Sequence, residues 1–152
     1  MMNKTNRVLF LCTGNYYRSR YAEEIFNHQA GLEGLGWQAF SRGVAEDLHF
    51  PENVGPMSPY TVNALQAKGI VPEGAARDPV LCTLHDFAQA ALVVALKDAE
   101  HRPMIERRFA GEAHRVEYWN VDDIEFLDPP TALGKIDELV GRLIGSLQGR
   151  ER

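Results

Sequence analysis

Residues 8–19 of this 152-residue chain read Val8-Leu9-Phe10-Leu11-Cys12-Thr13-Gly14-Asn15-Tyr16-Tyr17-Arg18-Ser19. The first four form a short continuous apolar run, which is typical of a strand buried on both faces of a parallel sheet. A stripe of apolar residues at helical spacing follows from Tyr21 to Ala30, and Gly31 is placed to end the helix. The segment therefore predicts a strand, a tight polar loop and a helix, and this unit decides the fold.

The same alternation of strand and helix patterns continues along the chain. Further strands are predicted at residues 37–41, 91–96 and 116–119, and further helices from Ser58-Pro59 to Gly69, after Pro103 and along the stripe from Leu133 to Leu147. This alternation favours an α/β fold in which a parallel sheet carries helices on both faces. We expect one domain over residues 1–152, with a long surface loop at residues 45–57 that serves as a binding wall.

Composition excludes several classes of protein. The formal net charge of -5 argues against a general nucleic-acid binder, because such proteins need a basic face. The polar start and the shortness of the first apolar run predict no signal peptide and no membrane contact, hence a cytoplasmic protein. Two cysteines are too few for a disulfide scaffold, and no histidines have ligand spacing, so we expect no metal and no cofactor.

Cys12 lies where the first predicted strand ends, and open parallel sheets bind ligands at the carboxyl ends of their strands. Thr13, Gly14 and Asn15 are small or tolerate the left-handed region, so the backbone can curl and its N–H groups can converge on an anion. The N-terminus of the next helix favours a phosphate and a thiolate at the same point. The residues from Thr13 to Arg18 are therefore predicted to bind a phosphoryl group, with Cys12 as nucleophile.

Arg18 and Ser19 complete the predicted catalytic loop. The guanidinium of Arg18 is a planar donor that matches two phosphate oxygens and stays charged in the transition state. The Ser19 hydroxyl can donate a hydrogen bond to the Cys12 sulfur and stabilise its thiolate form. A lone cysteine at a strand end is usually a core residue, but glycine, asparagine, arginine and serine at these offsets indicate a phosphate site.

Residues 8–19 resemble the opening of the low-molecular-weight protein tyrosine phosphatases. The resemblance continues through Ala22-Glu23, Ser41-Arg42-Gly43, Ser58-Pro59, Ala64-Leu65 and Gly69-Ile70, and it becomes looser after Pro72. It implies a three-layer, flavodoxin-like, doubly wound sheet of four parallel strands. It also implies hydrolysis of phosphomonoesters, phosphotyrosine above all, through a phosphocysteine and without a metal. In that family, hydrogen bonds from residues matching Asn15, Ser19 and Ser41 support the loop.

Tyr16 and Tyr17 depart from the family, whose members commonly have an aliphatic residue and a second cysteine at these places. A protective disulfide within the loop is therefore excluded. Two interpretations stay open: both rings wall the pocket and stack on a substrate ring, or one of them packs inward.

The leaving oxygen needs a proton donor, and the family places an aspartate, usually followed by proline, before the last helix. Asp128-Pro129 has this dipeptide, whereas Asp123 has the better distance from the fourth strand and from a helix that begins near Thr131. We favour Asp123 as the acid and keep Asp128 as the alternative. Either aspartate, like Asp122, could instead be a turn or capping residue.

Three further residues are assigned to structure rather than to the reaction. Cys82 is interpreted as a structural thiol, Arg77 as a surface arginine and His101 as an exposed histidine, although each has a functional alternative near the loop. The favoured substrate is a phosphorylated protein or a small aryl phosphate, with inorganic phosphate or another oxyanion as loop ligand. The alternatives are an arsenate reductase, for which a downstream cysteine pair is missing, and a non-catalytic phosphate-binding module.

Overall fold

A four-stranded sheet, in which all paired strands are parallel, forms the centre of the molecule. A computed structural model describes residues 6–150. The strands are β1 (Arg7–Cys12), β2 (Gln38–Gly43), β3 (Leu92–Ala95) and β4 (Val116–Tyr118). Their order is β2-β1-β3-β4, so β1 is central, and its Phe10 lies opposite Ser41 on one side and Val94 on the other. All four predicted strands are confirmed.

Within residues 6–150, five α-helices and one 3₁₀ turn accompany these strands. They are α1 (Arg18–Leu32), α2 (Pro59–Ala67), α3 (Leu84–Gln89), α4 (Asp98–Arg108) and α5 (Pro129–Arg150), with the 3₁₀ turn at Ala110–Arg115. Ser58 caps α2 as predicted, because its side chain accepts a hydrogen bond from the Tyr60 N–H at 3.2 Å.

The predicted start of α4 after Pro103 is wrong, because the helix begins five residues earlier at Asp98. Proline is usually found in the first turn, and inside a helix it removes one hydrogen bond. Asp98 and Glu100 lie in the actual first turn, where carboxylates interact favourably with the helix dipole.

The alternation of side chains along β1 divides the core into two parts. Val8, Phe10 and Cys12 pack in one cluster together with side chains of α1, α2 and α5. Leu9 and Leu11 pack on the other face together with side chains of α3 and α4. Helices therefore cover both faces, and the expected three-layer, doubly wound α/β fold is confirmed.

The order of the strands creates a crevice above Cys12. The chain passes from β1 to β2 on one side, whereas β3 lies on the other side of β1. The chain connections that follow β1 and β3 run to opposite sides of the sheet and leave a crevice between them. Doubly wound sheets bind their ligands in such a crevice. Cys12, the last residue of β1, lies at this crevice.

Candidate active site

Cys12 lines a cavity of about 710 Å³ at the carboxyl end of β1. Its side chain is largely buried, and its Sγ lies 2.9 Å from the Ser19 Oγ. Ser19 Oγ accepts a hydrogen bond from the Asn15 Nδ2 at 2.9 Å. Because that contact uses a lone pair of Ser19, the hydroxyl proton remains available for a hydrogen bond to the Cys12 sulfur.

Most carbonyl groups of the loop between Cys12 and Arg18 are bonded to groups outside the loop. Five carbonyls of the loop accept hydrogen bonds from groups outside it: Cys12 from Val44 N, Thr13 from Ala45 N, Asn15 from Arg20 Nη1, Tyr16 from Ser58 N, and Tyr17 from Tyr21 N and Thr61 Oγ1. In a planar trans peptide the next N–H points opposite to the carbonyl. The N–H groups of residues 13, 14, 16, 17 and 18 therefore face the cavity side, where they can bind an oxyanion.

Asn15 holds this loop in shape. Its φ of 51° is in the left-handed region, and its side chain is completely buried. Nδ2 donates to Ser19 Oγ and Ser41 Oγ, both at 2.9 Å, while Oδ1 accepts from Arg77 Nη1 at 3.2 Å and from Val80 N at 3.0 Å. All four hydrogen-bonding positions of the amide are occupied, so the contacts that the resemblance implies for Asn15, Ser19 and Ser41 are present.

The interpretation of Arg77 as a surface arginine is wrong, because its guanidinium is bound to the back of the loop. Its Nη2 contacts Glu23 Oε1 and Ser41 Oγ, each at 3.2 Å, and its Nη1 reaches Asn15. Ser41 in turn donates to Glu23 Oε1 at 2.5 Å. Arg77 thus supports the loop from behind and does not line the cavity.

Arg20 supports the same loop, and sequence reasoning missed it. The side chain is buried, and it donates to four carbonyls, those of Asn15 and Pro56 through Nη1 and those of Gly74 and Arg77 through Nη2, at 2.7–3.1 Å. Burial, with the nearby Arg77 charge, lowers the pKa of Arg20 to about 10. The only sequence signal was a second arginine two residues after Arg18.

Arg18 lies in the cavity wall and is 2% exposed. Its Nη1 donates to Glu100 Oε1 at 3.0 Å and to the Val121 carbonyl at 2.9 Å, and its Nη2 donates to Glu100 Oε2 at 2.7 Å. Burial by itself would lower the pKa of Arg18, but the hydrogen bond to Glu100 and the neighbouring negative charges raise it. The guanidinium therefore stays charged beside Cys12.

His101 is fully buried, so its interpretation as an exposed histidine is wrong. Its Nδ1 accepts the Lys97 N–H at 3.0 Å, and its Nε2 lies 3.3 Å from Glu100 Oε2 and 3.1 Å from Thr13 Oγ1. Burial lowers the pKa of His101 despite the nearby Glu100 carboxylate. The ring is therefore neutral and carries its proton on Nε2, where it can donate toward Glu100.

The long loop at residues 45–57 forms one wall of the cavity, through Phe50, Glu52, Asn53 and Val54. The Phe50 ring lies so close to the phosphate-binding loop that a Cβ on Gly14 would be 3.3 Å from it. Glycine at this position therefore lets the wall approach the loop. Carboxylates of Glu52, Asp123 and Glu125 also line the cavity.

The two tyrosines of the loop take different positions. Tyr16 is partly buried, lines the cavity and donates through its hydroxyl to the Val54 carbonyl at 2.6 Å. Tyr17 also lines the cavity but is only 7% exposed and packs in the core cluster of α1 and α5. Burial, followed by the Asp123 carboxylate, raises the pKa of Tyr17 to about 12. One ring therefore walls the pocket while the other packs inward.

The three aspartates before α5 occupy different positions relative to the cavity. Asp123 lines the cavity, with its Oδ2 3.6 Å from Arg18 Nη2 and its side chain 33% exposed. Asp128 is exposed and caps α5, because its Oδ2 accepts from Thr131 N at 3.1 Å and from Thr131 Oγ1 at 2.8 Å. Asp122 pairs with Lys97 at 2.8 Å. Of the three, only Asp123 lines the cavity with Cys12.

Cys82 has no feature of a reactive thiol. It is 1% exposed and packs in the core cluster of α3 and α4. Burial, followed by the Asp86 carboxylate, raises the pKa of Cys82 to about 12. A thiol of this kind is protonated at neutral pH and inert, which agrees with the structural interpretation.

Among residues 6–150, no group of three or more His, Cys, Asp or Glu side chains could hold a metal ion. Within the same range, every helix is too short or too polar to cross a membrane.

Comparison with known proteins relates most of the chain to phosphatases. The model of the family described as "Low molecular weight phosphotyrosine protein phosphatase" matches residues 7–134. A protein-arginine-phosphatase of Bacillus subtilis (strain 168) is 31% identical over 127 residues, which cover 80% of this chain and 78% of that protein.

Solved structures share the fold over nearly the whole chain. A low molecular weight protein tyrosine phosphatase from T. tengcongensis has a TM-score of 0.78 and 26% identity, and the match covers 92% of this chain and 98% of that one. YfkJ from Bacillus subtilis has a TM-score of 0.83 at 22% identity, covering 97% and 98% of the two chains. The parallel sheet and its helices are thus an arrangement that both structures have in common with this chain.

Proposed function

The chain belongs to the low molecular weight phosphotyrosine protein phosphatase family and is a cysteine-dependent phosphatase, and on that premise we propose the roles of its residues. Cys12 is the nucleophile, the loop N–H groups and Arg18 bind the phosphoryl oxygens, and Asp123 is the proton donor. The observation that supports this best is that five loop carbonyls bond to groups outside the loop, which leaves the N–H groups of the same peptides to face the Cys12 sulfur. A cup of N–H groups beside a thiolate and a guanidinium suits phosphoryl transfer.

In the first step the Cys12 thiolate attacks phosphorus, and a sulfur–phosphorus bond forms as the bond to the leaving oxygen breaks. The leaving oxygen takes the proton of the Asp123 carboxyl group. The partial exposure of Asp123 and its place in the cavity leave room for a leaving group beside it.

In the second step the Asp123 carboxylate accepts a proton from water, and the water oxygen attacks phosphorus. The sulfur–phosphorus bond breaks, inorganic phosphate leaves and the thiolate returns. Ser19 assists here, because its hydroxyl lies 2.9 Å from Sγ and can donate to the departing thiolate. No metal or cofactor is needed for the balance of either step.

The proposed substrate is a phosphotyrosine side chain of a protein, and a small aryl phosphate can replace it. Tyr16, Phe50 and Tyr60 bring aromatic side chains to the cavity, while Tyr17 borders it but packs mainly in the core. Rings of this kind pack against an aromatic side chain in offset or edge-to-face arrangements. A cavity of about 710 Å³ is also large enough for a phosphophenyl group.

Phosphoarginine is the second candidate substrate. It is favoured by the relative from Bacillus subtilis that is a protein-arginine-phosphatase. The carboxylates of Glu52, Asp123 and Glu125 at the cavity could also interact with a guanidinium group. The arsenate reductase alternative is not favoured, because the relatives are phosphatases and Cys82 is buried.

A paired assay tests the reaction and the substrate together. Two peptides of the same sequence, one with phosphotyrosine and one with phosphoarginine, are incubated with the protein, and phosphate release is measured with and without vanadate. We expect vanadate-sensitive release with the higher kcat/KM for phosphotyrosine. A higher kcat/KM for the phosphoarginine peptide would make phosphoarginine the proposed substrate in place of phosphotyrosine. Binding of phosphate without turnover would favour the non-catalytic module.

We also propose that the chain is one domain and acts in the cytoplasm.

A further inference from the structure

Glu100 lines the cavity and is bound to Arg18, but the reaction scheme gives it no role. It lies in the first turn of α4, 82 residues from Arg18 in the sequence, and its side chain is 27% exposed. The two carboxylate oxygens face the two Nη atoms of Arg18 at 3.0 and 2.7 Å. This is an end-on, two-pronged contact, the arrangement in which guanidinium and carboxylate geometries match.

Further donors fix the Glu100 carboxylate in place. The Thr13 hydroxyl donates to Oε2, and the protonated Nε2 of His101 lies 3.3 Å from the same oxygen. Burial would raise the pKa of Glu100, but the hydrogen bonds from His101 and Arg18 outweigh it and hold that pKa well below its usual range. Glu100 is therefore ionised at neutral pH.

His101 is itself held by the backbone. Its Nδ1 accepts the Lys97 N–H at 3.0 Å, which fixes both the ring orientation and the tautomer. The chain of contacts runs from the start of α4 through His101 and Glu100 to Arg18. Its members are buried or half-buried, so few alternative arrangements are open to the guanidinium.

We propose that Glu100, fixed by His101 and Thr13, is a positioning residue that sets the orientation of the Arg18 guanidinium for phosphate binding. Glu100 holds the end of the guanidinium formed by Nη1 and Nη2, and the Val121 carbonyl holds Nη1 as well. Glu100 thus leaves the side edge formed by Nε and the second hydrogen of Nη2 available for two phosphoryl oxygens. This inference rests on the proposed role of Arg18 in the reaction.

The first test compares Glu100→Gln with Asp98→Asn. Glutamine keeps the size of the side chain, but its amide offers only one acceptor where Arg18 needs two. We expect kcat/KM for an aryl phosphate to fall by about 10- to 100-fold, because a small misplacement of a binding group has effects of this size. Asp98→Asn removes an exposed carboxylate from the same turn, one that pairs with Arg102, and should leave kcat/KM unchanged.

A double-mutant cycle with Arg18→Lys separates positioning from general stability. If Glu100 acts through the guanidinium, Glu100→Gln should lower kcat/KM by less than about 3-fold when Arg18 is already lysine. An equal loss in both backgrounds would overturn the proposal. Tighter binding of inorganic phosphate to Glu100→Gln would also overturn it, because Glu100 would then compete with phosphate for Arg18.

Two further measurements keep the outcome decisive. Calorimetry measures the binding of inorganic phosphate to the four proteins of the cycle: the wild type, Glu100→Gln, Arg18→Lys and the double variant. Because this measurement requires no turnover, it reports the coupling between Glu100 and Arg18 even if the wild-type protein hydrolyses no aryl phosphate and the proposed function fails. If Glu100→Gln does not fold, Thr13→Val replaces it in the cycle, since it removes one donor to Glu100 at nearly constant volume. It should give a smaller loss of phosphate affinity with the same non-additivity, and additive losses would contradict the proposal.

Discussion

Two regions meet at the cavity, and they are held in different ways. In the phosphate-binding loop, Asn15 and Ser19 are fully buried and every polar position of the Asn15 amide is occupied. In the opposite walls, Val54 is 76% exposed and Ile124 is 43% exposed. The loop is thus fixed by a buried network of hydrogen bonds, whereas these two wall residues are open to solvent. This difference suggests that the chemistry resides in the loop and that substrate preference resides in the walls.

The largest expected effect in the loop is that of the nucleophile. Cys12→Ser should lower turnover by roughly 10⁴-fold or more while inorganic phosphate still binds, because the N–H cup and Arg18 remain. Cys82→Ser is the matched control, and it should keep turnover near the wild-type value although it replaces a buried thiol. Steady-state hydrolysis of para-nitrophenyl phosphate and calorimetry with phosphate measure both outcomes. Turnover retained by Cys12→Ser would refute the assignment of the nucleophile.

Arg18→Lys should have the next largest effect. Lysine keeps the charge but cannot present two parallel donors, so about 2 to 4 kcal/mol of transition-state stabilisation should be lost. The loss should appear in kcat as well as in kcat/KM. It should also be similar for good and poor leaving groups, because the loop binds the phosphoryl group that all substrates share. A mild effect on both parameters would mean that Arg18 does not bind the phosphoryl group.

Asp123→Asn probes the boundary between the two regions. Removing a proton donor should matter most for poor leaving groups, since an activated phenoxide departs unaided. We expect turnover to fall by about 100-fold for phenyl phosphate and by much less for para-nitrophenyl phosphate.

Asp128→Asn is the control for this prediction. It perturbs the cap of α5, so it should lower the free energy of unfolding by less than about 1 kcal/mol and affect both substrates equally. The reverse pattern of leaving-group dependence would make Asp128 the acid. No such dependence in either variant would favour hydrolysis without an aspartic acid from this part of the chain.

Asn15→Ala should weaken the loop without removing a reacting group. It leaves partners of the amide unsatisfied and places alanine at a positive φ, so the free energy of unfolding should fall by about 1–3 kcal/mol. Turnover should fall about tenfold for all substrates alike. Asn15→Gly tolerates the backbone conformation, so a similar loss of turnover in this variant would assign the effect to the side chain. Recovery in Asn15→Gly would assign it to the backbone instead.

The features that were predicted correctly from the sequence, the central strand and the loop that follows it, are formed by residues that are close together in the chain. Cys12, Arg18 and Ser19 lie within eight consecutive positions, and the apolar run before them marked the central strand, so both the strand and the loop could be read locally. The favoured position of Asp123 also came from a local argument, its distance from the last helix. The structure brings Asp123 to the cavity, while its catalytic role remains a prediction.

The residues that sequence reasoning misjudged act over long distances. Arg77 meets Asn15 across 62 positions, and Glu100 meets Arg18 across 82, contacts that only the order of the strands brings about. His101 stands between a glutamate and an arginine on a helix rich in charge, so nothing in the pattern indicates its burial. Such contacts follow from topology, which composition and periodicity do not specify.

Tyr16→Phe should have the smallest effect and gives the sharpest test of the comparison. Tyr16 belongs to the loop, but its hydroxyl donates to the Val54 carbonyl at 2.6 Å, so it ties the loop to the exposed wall. Loss of one such hydrogen bond is worth about 0.5–1.5 kcal/mol. We expect this to appear as a KM raised by roughly two- to tenfold with kcat nearly unchanged.

Tyr60→Phe removes the hydroxyl of another tyrosine of the cavity, one that is 52% exposed, and should alter neither parameter by much. If Tyr16→Phe instead lowers kcat for every substrate, the wall is part of the catalytic loop and the two regions are not separate. If it shifts the ratio of kcat/KM between phosphotyrosine and phosphoarginine peptides at constant kcat, the wall selects the substrate. The separation then follows physically: the loop carbonyls and the Asn15 amide keep their partners in Tyr16→Phe, and only the wall gains freedom.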